Sequence, residues 1–213
     1  MGAPLFEYLD ANPEAACTYH QAVDAFTRRE ARALAAAYDF SGVQSIVDVG
    51  GGLGSLLAEL AKHWPSLERC VLFDRPQVVE QARHDLAARE MGQRLEFMAG
   101  DFLNSIPIAA DVFVVKHVLH NWQDQEAIAV LKNCVAGLNP GGSVLIVEGI
   151  LLPGLQRDRT ALLDLEMFVL CGRGRERSKP EFRALLGAAG LVLKSTHDLA
   201  GTTRLLVAMP KAG

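Results

Sequence analysis

Gly50, Gly52 and Gly54 alternate with other residues in Asp48-Val49-Gly50-Gly51-Gly52-Leu53-Gly54, directly after the apolar run that begins at Ile46. Glycines between a strand and a helix let the backbone approach a ligand closely and offer N–H groups to an anion. Asp74 ends a second apolar run, 24 residues after Gly50, where a carboxylate can accept the hydroxyls of a ribose. Gly100-Asp101-Phe102 ends a third run. There a carboxylate can take the amino hydrogens of an adenine while an aromatic ring covers its face. A turn or helix-cap role is the alternative for Asp101. A fourth run leads into Lys116-His117-Val118-Leu119-His120-Asn121-Trp122, which places two histidines beside the same crevice. A histidine met alone is more often structural than catalytic. Glu148, ending a fifth run, and Glu176, in the loop over 172–177, are acids that could orient an imidazole.

The elements that must position these residues follow from periodicity and breakers. Strands are expected over 46–49, 70–74, 95–98, 112–115 and 144–148, and helices over 13–38, 56–63, 78–91, 125–137, 160–170 and 179–189. Two closing strands, 192–195 and 204–207, are too close in sequence for a helical crossover and must pair as an antiparallel hairpin. Short apolar strands alternating with helices specify an α/β fold: a parallel sheet covered on both faces, seven-stranded once the hairpin is added. In such a sheet the ligand crevice lies beyond the carboxyl ends of the strands. Every residue singled out above except Glu176 sits at such an end. Residues 1–40 read as an N-terminal helical segment and 41–213 as the principal domain.

A dinucleotide fingerprint GxGxxG would need glycine at position 55, where Ser55 stands. The GxGxG pattern favours S-adenosylmethionine, which has no pyrophosphate to cradle, over NAD. A plain glycine-rich turn is the structural alternative. Asp74 supports a nucleoside cofactor without naming it. The chain of 213 residues has a net charge of −4, which gives no general reason to bind nucleic acid or an anionic membrane. Arg173, Arg175 and Arg177 form a local cluster that could bind an anion. Cys17, Cys70, Cys134 and Cys171 form no CxxC pair and fit a reducing, cytoplasmic setting. No His/Asp/Glu group stands at metal-ligand spacing, so no metal is expected. No apolar run approaches the roughly 20 residues that span a bilayer, and no signal peptide is evident.

The segments VDVGGGLG, LFDRPQVV, AGDFL, VVKHVLHNWQD, NPGGSVLIVEGILLP and GRERSKPEFRALLGAAGL cover nearly the whole chain from about Pro4. In order and spacing they resemble the metal-independent small-molecule O-methyltransferases of the caffeic acid and hydroxyindole type, with their bacterial polyketide-tailoring relatives. The resemblance implies a class I methyltransferase Rossmann-like fold, with S-adenosyl-L-methionine as cofactor and S-adenosyl-L-homocysteine as product. It implies that Gly50, Gly52, Gly54, Asp74, Arg75, Asp101, Phe102 and Lys116 bind the cofactor, with Thr27 near its methionine part. It makes His120 the general base, flanked by Glu148 and Glu176, and leaves His117 structural. Tyr19, Val23, Phe26, Met167 and Cys171 would line a pocket for a small hydroxylated aromatic or polyketide acceptor. Full-length relatives are homodimers whose N-terminal dimerisation domain precedes this region, so 1–40 reads as the linker to it. Asn121 departs from the family, which commonly has Asp after the base.

Two other readings stand beside this one. A cofactor-binding domain inactive alone, or repurposed for other tailoring chemistry, would keep the same strand-end residues. A nicotinamide oxidoreductase is disfavoured by Ser55 and the hairpin. A nucleic-acid methyltransferase lacks both a basic composition and the Asn/Asp-Pro-Pro-aromatic signature of amino-group methylation.

Overall fold

The computed structural model describes residues 5–87, 95–154, 159–171 and 174–211. Two helices open the chain, α1 (Leu5–Ala11) and α2 (Pro13–Ala37). Strand–helix alternation follows: β1 (Ser45–Val49), α3 (Ser55–His63), β2 (Arg69–Asp74), α4 (Pro76–Ala87), β3 (Leu95–Ala99), β4 (Ala110–Lys116), α5 (Asp124–Gly137) and β5 (Leu138–Leu151). The chain closes with α6 (Arg159–Cys171), a two-residue β6 (Arg177–Ser178), α7 (Lys179–Ala188), β7 (Leu191–Asp198) and β8 (Thr203–Pro210). The strands lie in the order β3-β2-β1-β4-β5-β8-β7, with β6 beside β5. All pairs from β3 to β5 are parallel, and β8 runs antiparallel to both β5 and β7. The terminal hairpin expected from sequence is therefore present. Sequence reading did not foresee α1 or β6, and the expected helix over 78–91 is described as far as Ala87.

Strand side chains alternate between the two faces of the sheet, and both faces are apolar, as a sheet covered twice requires. Val47, Val49, Phe73, Phe113, Val115, Val144 and Ile146 pack against Val130 and Leu131 of α5 and Phe182 and Leu186 of α7. The intervening residues Ile46, Leu72, Val112, Val114, Leu145 and Val147 pack against Leu34 of α2, Leu57 and Leu60 of α3, and Leu86 of α4. Burying each such side chain contributes roughly 1.5–3 kcal/mol, so these layers hold the strand ends that carry the site. The second half of α2 belongs to this core, with Ala31 and Leu34 fully buried. Its first half presents Val23 and Phe26 to the outside.

The order reverses between β1 and β4, which grow toward opposite edges, and in such sheets the ligand crevice lies beyond the carboxyl ends of the strands at this switch.

Two glycines in helices test this packing in opposite directions. A Cβ at Gly137, the end of α5, would stand 2.2 Å from the Ile108 carbonyl oxygen and 2.7 Å from the Phe113 ring. One at Gly187 in α7 would meet nothing within 4 Å. Gly187→Ala is expected to stabilise the fold by about 0.5–1 kcal/mol, and Gly137→Ala to destabilise it by about 1–3 kcal/mol through overpacking, both read from urea unfolding. Equal effects of the two would contradict the packing described.

Candidate active site

The loop after β1 is shaped by three glycines with positive φ, Gly50 (69°), Gly52 (57°) and Gly54 (77°). Residues with a Cβ adopt this conformation only at a cost, so the spacing seen in the sequence has a backbone reason. Asp74 sits at the end of β2 with little exposed surface. One of its oxygens accepts the Gly52 N–H at 3.0 Å and the other the Arg75 N–H at 2.7 Å. A carboxylate has about four acceptor positions, so capacity remains for further donors. Burial raises the Asp74 carboxyl above its ordinary range, opposed by these N–H groups and by the Arg75 charge. The Arg75 guanidinium itself turns to Asp10 of α1, at 2.8 Å.

Asp48 lies under the loop, its carboxylate 2.7 Å from where a Cβ on Gly51 would stand. Burial pushes it up to about 7, with Lys116 opposing and Asp74 adding. At the end of β3, Asp101 is exposed and takes the turn role: it accepts the Leu103 N–H at 2.9 Å and the Asn104 amide at 2.7 Å. Phe102 is half-buried, edge-on to Trp122 at 6.1 Å.

Beyond β4 the chain turns through His117, the one non-glycine residue with positive φ (51°) among those described, into a single 3-10 turn, Leu119–Asn121. Glu148, on β5 and fully buried, fixes this turn. Its Oε1 accepts the N–H groups of Val118 and Leu119 at 3.0 and 2.9 Å. Its Oε2 faces Nδ1 of His120 at 3.4 Å and Nδ1 of His117 at 3.7 Å. Burial works against the Glu148 charge, but the imidazoles and the Leu119 N–H outweigh it and hold the carboxyl low. Glu176 meets His120 Nδ1 at 2.8 Å. It is raised above the ordinary range by burial and by the charge of Glu148, its bond to His120 working the other way. Its own N–H donates to Asp164 of α6 at 2.7 Å. Both acids singled out from sequence thus lie against His120.

The arginine cluster proposed as an anion site is something else. Arg177 is fully buried and clamps the turn, donating to the carbonyls of Leu119 (2.8 Å) and Trp122 (2.7 Å) and to Asp124 (3.0 Å). Arg175 pairs with Glu181, while Arg173 lies outside the described residues. A residue that sequence reading missed completes the site. Glu30 of α2 reaches His117 Nε2 at 3.0 Å, Lys116 Nζ at 3.2 Å and the Thr203 hydroxyl at 2.7 Å. Lys116, expected near the cofactor, is thus an ion-pair partner of Glu30.

Among the expected pocket residues, Met167 is buried and Cys171 half-buried, its thiol donating to Asn121 Oδ1 at 3.3 Å. Tyr19 is partly buried and its hydroxyl is raised by burial, then by Cys171 and Glu166. Val23 stands 38% and Phe26 72% exposed, so this wall is open on the α2 side. Thr27 is buried and donates back to the Val23 carbonyl at 3.0 Å. One expectation needs correcting. Although no ligand spacing shows in the sequence, His117, His120 and Glu148 converge, with donor atoms within 4.8 Å of one another. Parallel β4–β5 pairing brings the two sequence regions together.

Comparison with known proteins agrees with this fold. The profile of a family described as O-methyltransferase domain matches residues 1–192. Mitomycin biosynthesis 6-O-methyltransferase of Streptomyces lavendulae is 38% identical over 206 residues, 96% of this chain and 58% of the relative. Aclacinomycin 10-hydroxylase RdmB of Streptomyces purpurascens is 36% identical over 204 residues, 95% of this chain and 54% of the relative. The crystal structure of the O-methyltransferase NcsB1 from neocarzinostatin biosynthesis, in complex with S-adenosylmethionine and 2-hydroxy-5-methyl naphthoic acid, superposes with a TM-score of 0.87. That likeness has 27% identity and covers 99% of this chain and 62% of the other. The chain therefore spans under two thirds of the length of each of these proteins.

Asp48 gives this site a measurable pH signature. Its ordinary value is about 3.9. Between there and about 7 the folded chain keeps a proton that the unfolded chain has lost, so stability falls as pH rises. Asp48→Asn removes that penalty. Its stability relative to the parent should improve between pH 4.5 and 7.5 by on the order of 3 kcal/mol, measured by denaturant titration. A difference independent of pH would mean that Asp48 carries no such proton.

Proposed function

Because the chain belongs to the O-methyltransferase domain family, we propose that it moves a methyl group from S-adenosylmethionine to a hydroxyl of a small aromatic or polyketide acceptor, with His120 as general base. The observation that carries this reading is the pairing of His120 with Glu176 at 2.8 Å and Glu148 at 3.4 Å, at the same crevice as the glycine loop and Asp74. The two halves pack closely: a Cβ on Gly50 would clash with Val118 Cγ2 at 2.7 Å, next to the histidine turn.

The residues present fit the nucleoside cofactor. Gly52 leaves open space where a Cβ would stand, the unused acceptor capacity of Asp74 suits ribose hydroxyls, and Phe102 offers a ring face for adenine. Asp101, although it braces its own turn, keeps acceptor positions for an amino group. Arg75 acts through its N–H on Asp74, and Thr27 and Lys116 would lie toward the methionine end, where Lys116 contributes positive charge. When bound, S-adenosylmethionine supplies a methyl on a sulfonium sulfur that leaves as a neutral thioether. What remains for the protein is alignment and proton removal. A phenol titrates near 10 and an imidazole near 6.5. His120 therefore takes the proton as the phenolic oxygen attacks, and Glu176 and Glu148 stabilise the imidazolium. No metal enters this scheme. The imidazoles of His117 and His120 and the carboxylate of Glu148 serve one another as charge partners.

The acceptor would lie against Tyr19, Val23, Phe26, Met167 and Cys171, with residues 1–40 as one wall. The relative crystallised with a hydroxynaphthoic acid supports an aromatic acceptor of that size. A second reading has a specific observation behind it, since one relative of comparable identity is named a hydroxylase. On that reading the same crevice binds the cofactor but serves other tailoring chemistry.

Incubation with a panel of phenols and methyl-labelled S-adenosylmethionine separates the two. Label in an acceptor ether supports transfer, and cofactor binding without any labelled product supports the second reading. His120→Ala should lower kcat by about 10²–10⁴ while the Kd for S-adenosylhomocysteine in calorimetry stays unchanged. A lost Kd with the fold intact would reassign His120 to binding. Asp74→Ala should do the reverse and weaken the cofactor first. An unaltered Kd there would remove Asp74 from the ribose site.

A further inference from the structure

The resemblance that marks His120 as the base leaves His117 without a task, yet the fold gives it three charged neighbours. Glu30, His117, Glu148, His120 and Glu176 form one row in which carboxylates and imidazoles alternate. Successive separations are 3.0, 3.7, 3.4 and 2.8 Å. The two imidazole rings stack at 5.3 Å between centroids, inclined by 30°. Their Nδ1 atoms address the same oxygen, Glu148 Oε2, which has no hydrogen-bond partner within ordinary distance. His117 also holds a positive φ of 51°. Such backbone cost persists only where surrounding contacts impose it.

We propose that His117 is a positioning residue for the base: it answers the charge of Glu148 from one side, so that His120 on the other side can receive the acceptor's proton. This rests on His120 being the base.

Charge balance within the row carries the argument. Among the described residues, the charged groups that face His117 are Glu30 from α2, Lys116 from β4, Glu148 from β5, and His120 from the following turn with Glu176 behind it. If all three acids are ionised, the positive charges of Lys116 and His117 leave the cluster one negative charge in excess. A proton arriving on His120 completes the balance. Without positive charge at His117, His120 would face Glu148 alone, and that carboxylate would draw a proton from water before any acceptor arrived. The base would then rest in the wrong state. Burial opposes a charge on His117, but the neighbouring carboxylates of Glu148 and Glu30 outweigh both this and Lys116 and carry it to about 9. Glu30, which burial would raise, is held by His117, Lys116 and Thr203 down at about 2. The pair is therefore charged across the range in which a phenol O-methyltransferase would work.

The direct test follows the imidazoles themselves and needs no acceptor. The protein is labelled with 15N-histidine, saturated with S-adenosylhomocysteine and titrated by NMR between pH 5 and 10. In His117→Gln the midpoint of His120 is expected to rise by about one to two pH units relative to the parent. In His117→Arg, which keeps the positive charge, it should stay within about half a unit of the parent. The acid limb of kcat/KM on a phenol from the acceptor panel should move with the midpoint. Activity lost at pH 7 in His117→Gln would then return near pH 9. A His120 midpoint unmoved in His117→Gln, or activity lowered by one factor at every pH, would overturn the proposal and leave His117 as a packing residue. Undiminished turnover by His120→Ala would instead overturn the base assignment beneath it. The titration midpoints distinguish the two failures, since they are read without turnover.

Discussion

A carboxylate with no exposed surface needs donors that cannot leave, and Glu148 draws all of its own from a single segment of four residues. Val118 and Leu119 give it their N–H groups, and His117 and His120 turn their Nδ1 atoms toward its other oxygen. Satisfying one buried acid on β5 thus dictates the path of the chain leaving β4. It accounts for the positive φ of His117, the tight 3-10 turn and the direction of both imidazoles. The carbonyls of the same turn face the opposite way and are taken by Arg177, while the His120 carbonyl accepts the Arg175 N–H at 2.7 Å. Donors of the turn are thus satisfied from β5 and acceptors from the segment at β6. The imidazole between them has little freedom.

This arrangement couples the two parts of the crevice. Val118 rests against Gly50, so the turn that presents His120 also bounds the glycine loop. Glu30 ties α2 to the turn through His117, to β4 through Lys116 and to β8 through Thr203. A helix that looks peripheral in sequence order is thereby tied to the strand ends, while its residues Val23 and Phe26 remain exposed.

The strand ends were legible because their signals are local. Glycines at fixed offsets and an acid after an apolar run mean the same thing wherever the sheet is built, and Gly50, Gly52, Gly54 and Asp74 all stand where those patterns put them. Glu30 was not legible. It follows Arg28 and Arg29 in a long helix, and there a charge reads as one more solvated position until the sheet brings Lys116, His117 and Thr203 beneath it. Arg177 was misread for the related reason that three arginines in five residues resemble an exposed anion site. Only the fold reveals that one of them points inward onto carbonyls. The His117–His120–Glu148 convergence depends on β4 pairing with β5, a long-range fact that no spacing encodes. Roles carried by resemblance alone, such as those of Thr27 and Cys171, have positions in the structure but no chemistry of their own to mark them.

The acids of the crevice divide by the direction in which the fold moves them. Glu30 and Glu148 lie below the ordinary range because cations and N–H groups already within the chain more than offset burial. Asp48, Asp74 and Glu176 lie above it because burial is not fully answered. A buried acid left under-compensated costs stability, and such groups gather where a ligand or a moving proton supplies what is missing. For Asp74 the missing donors would be ribose hydroxyls, and for Glu176 an imidazolium at His120. Asp48, under the glycine loop, is carried up to about 7 by burial and by the charge of Asp74, against Lys116. The same burial that makes this corner costly to fold therefore sorts its carboxylates into those that hold the architecture and those left open to the reaction.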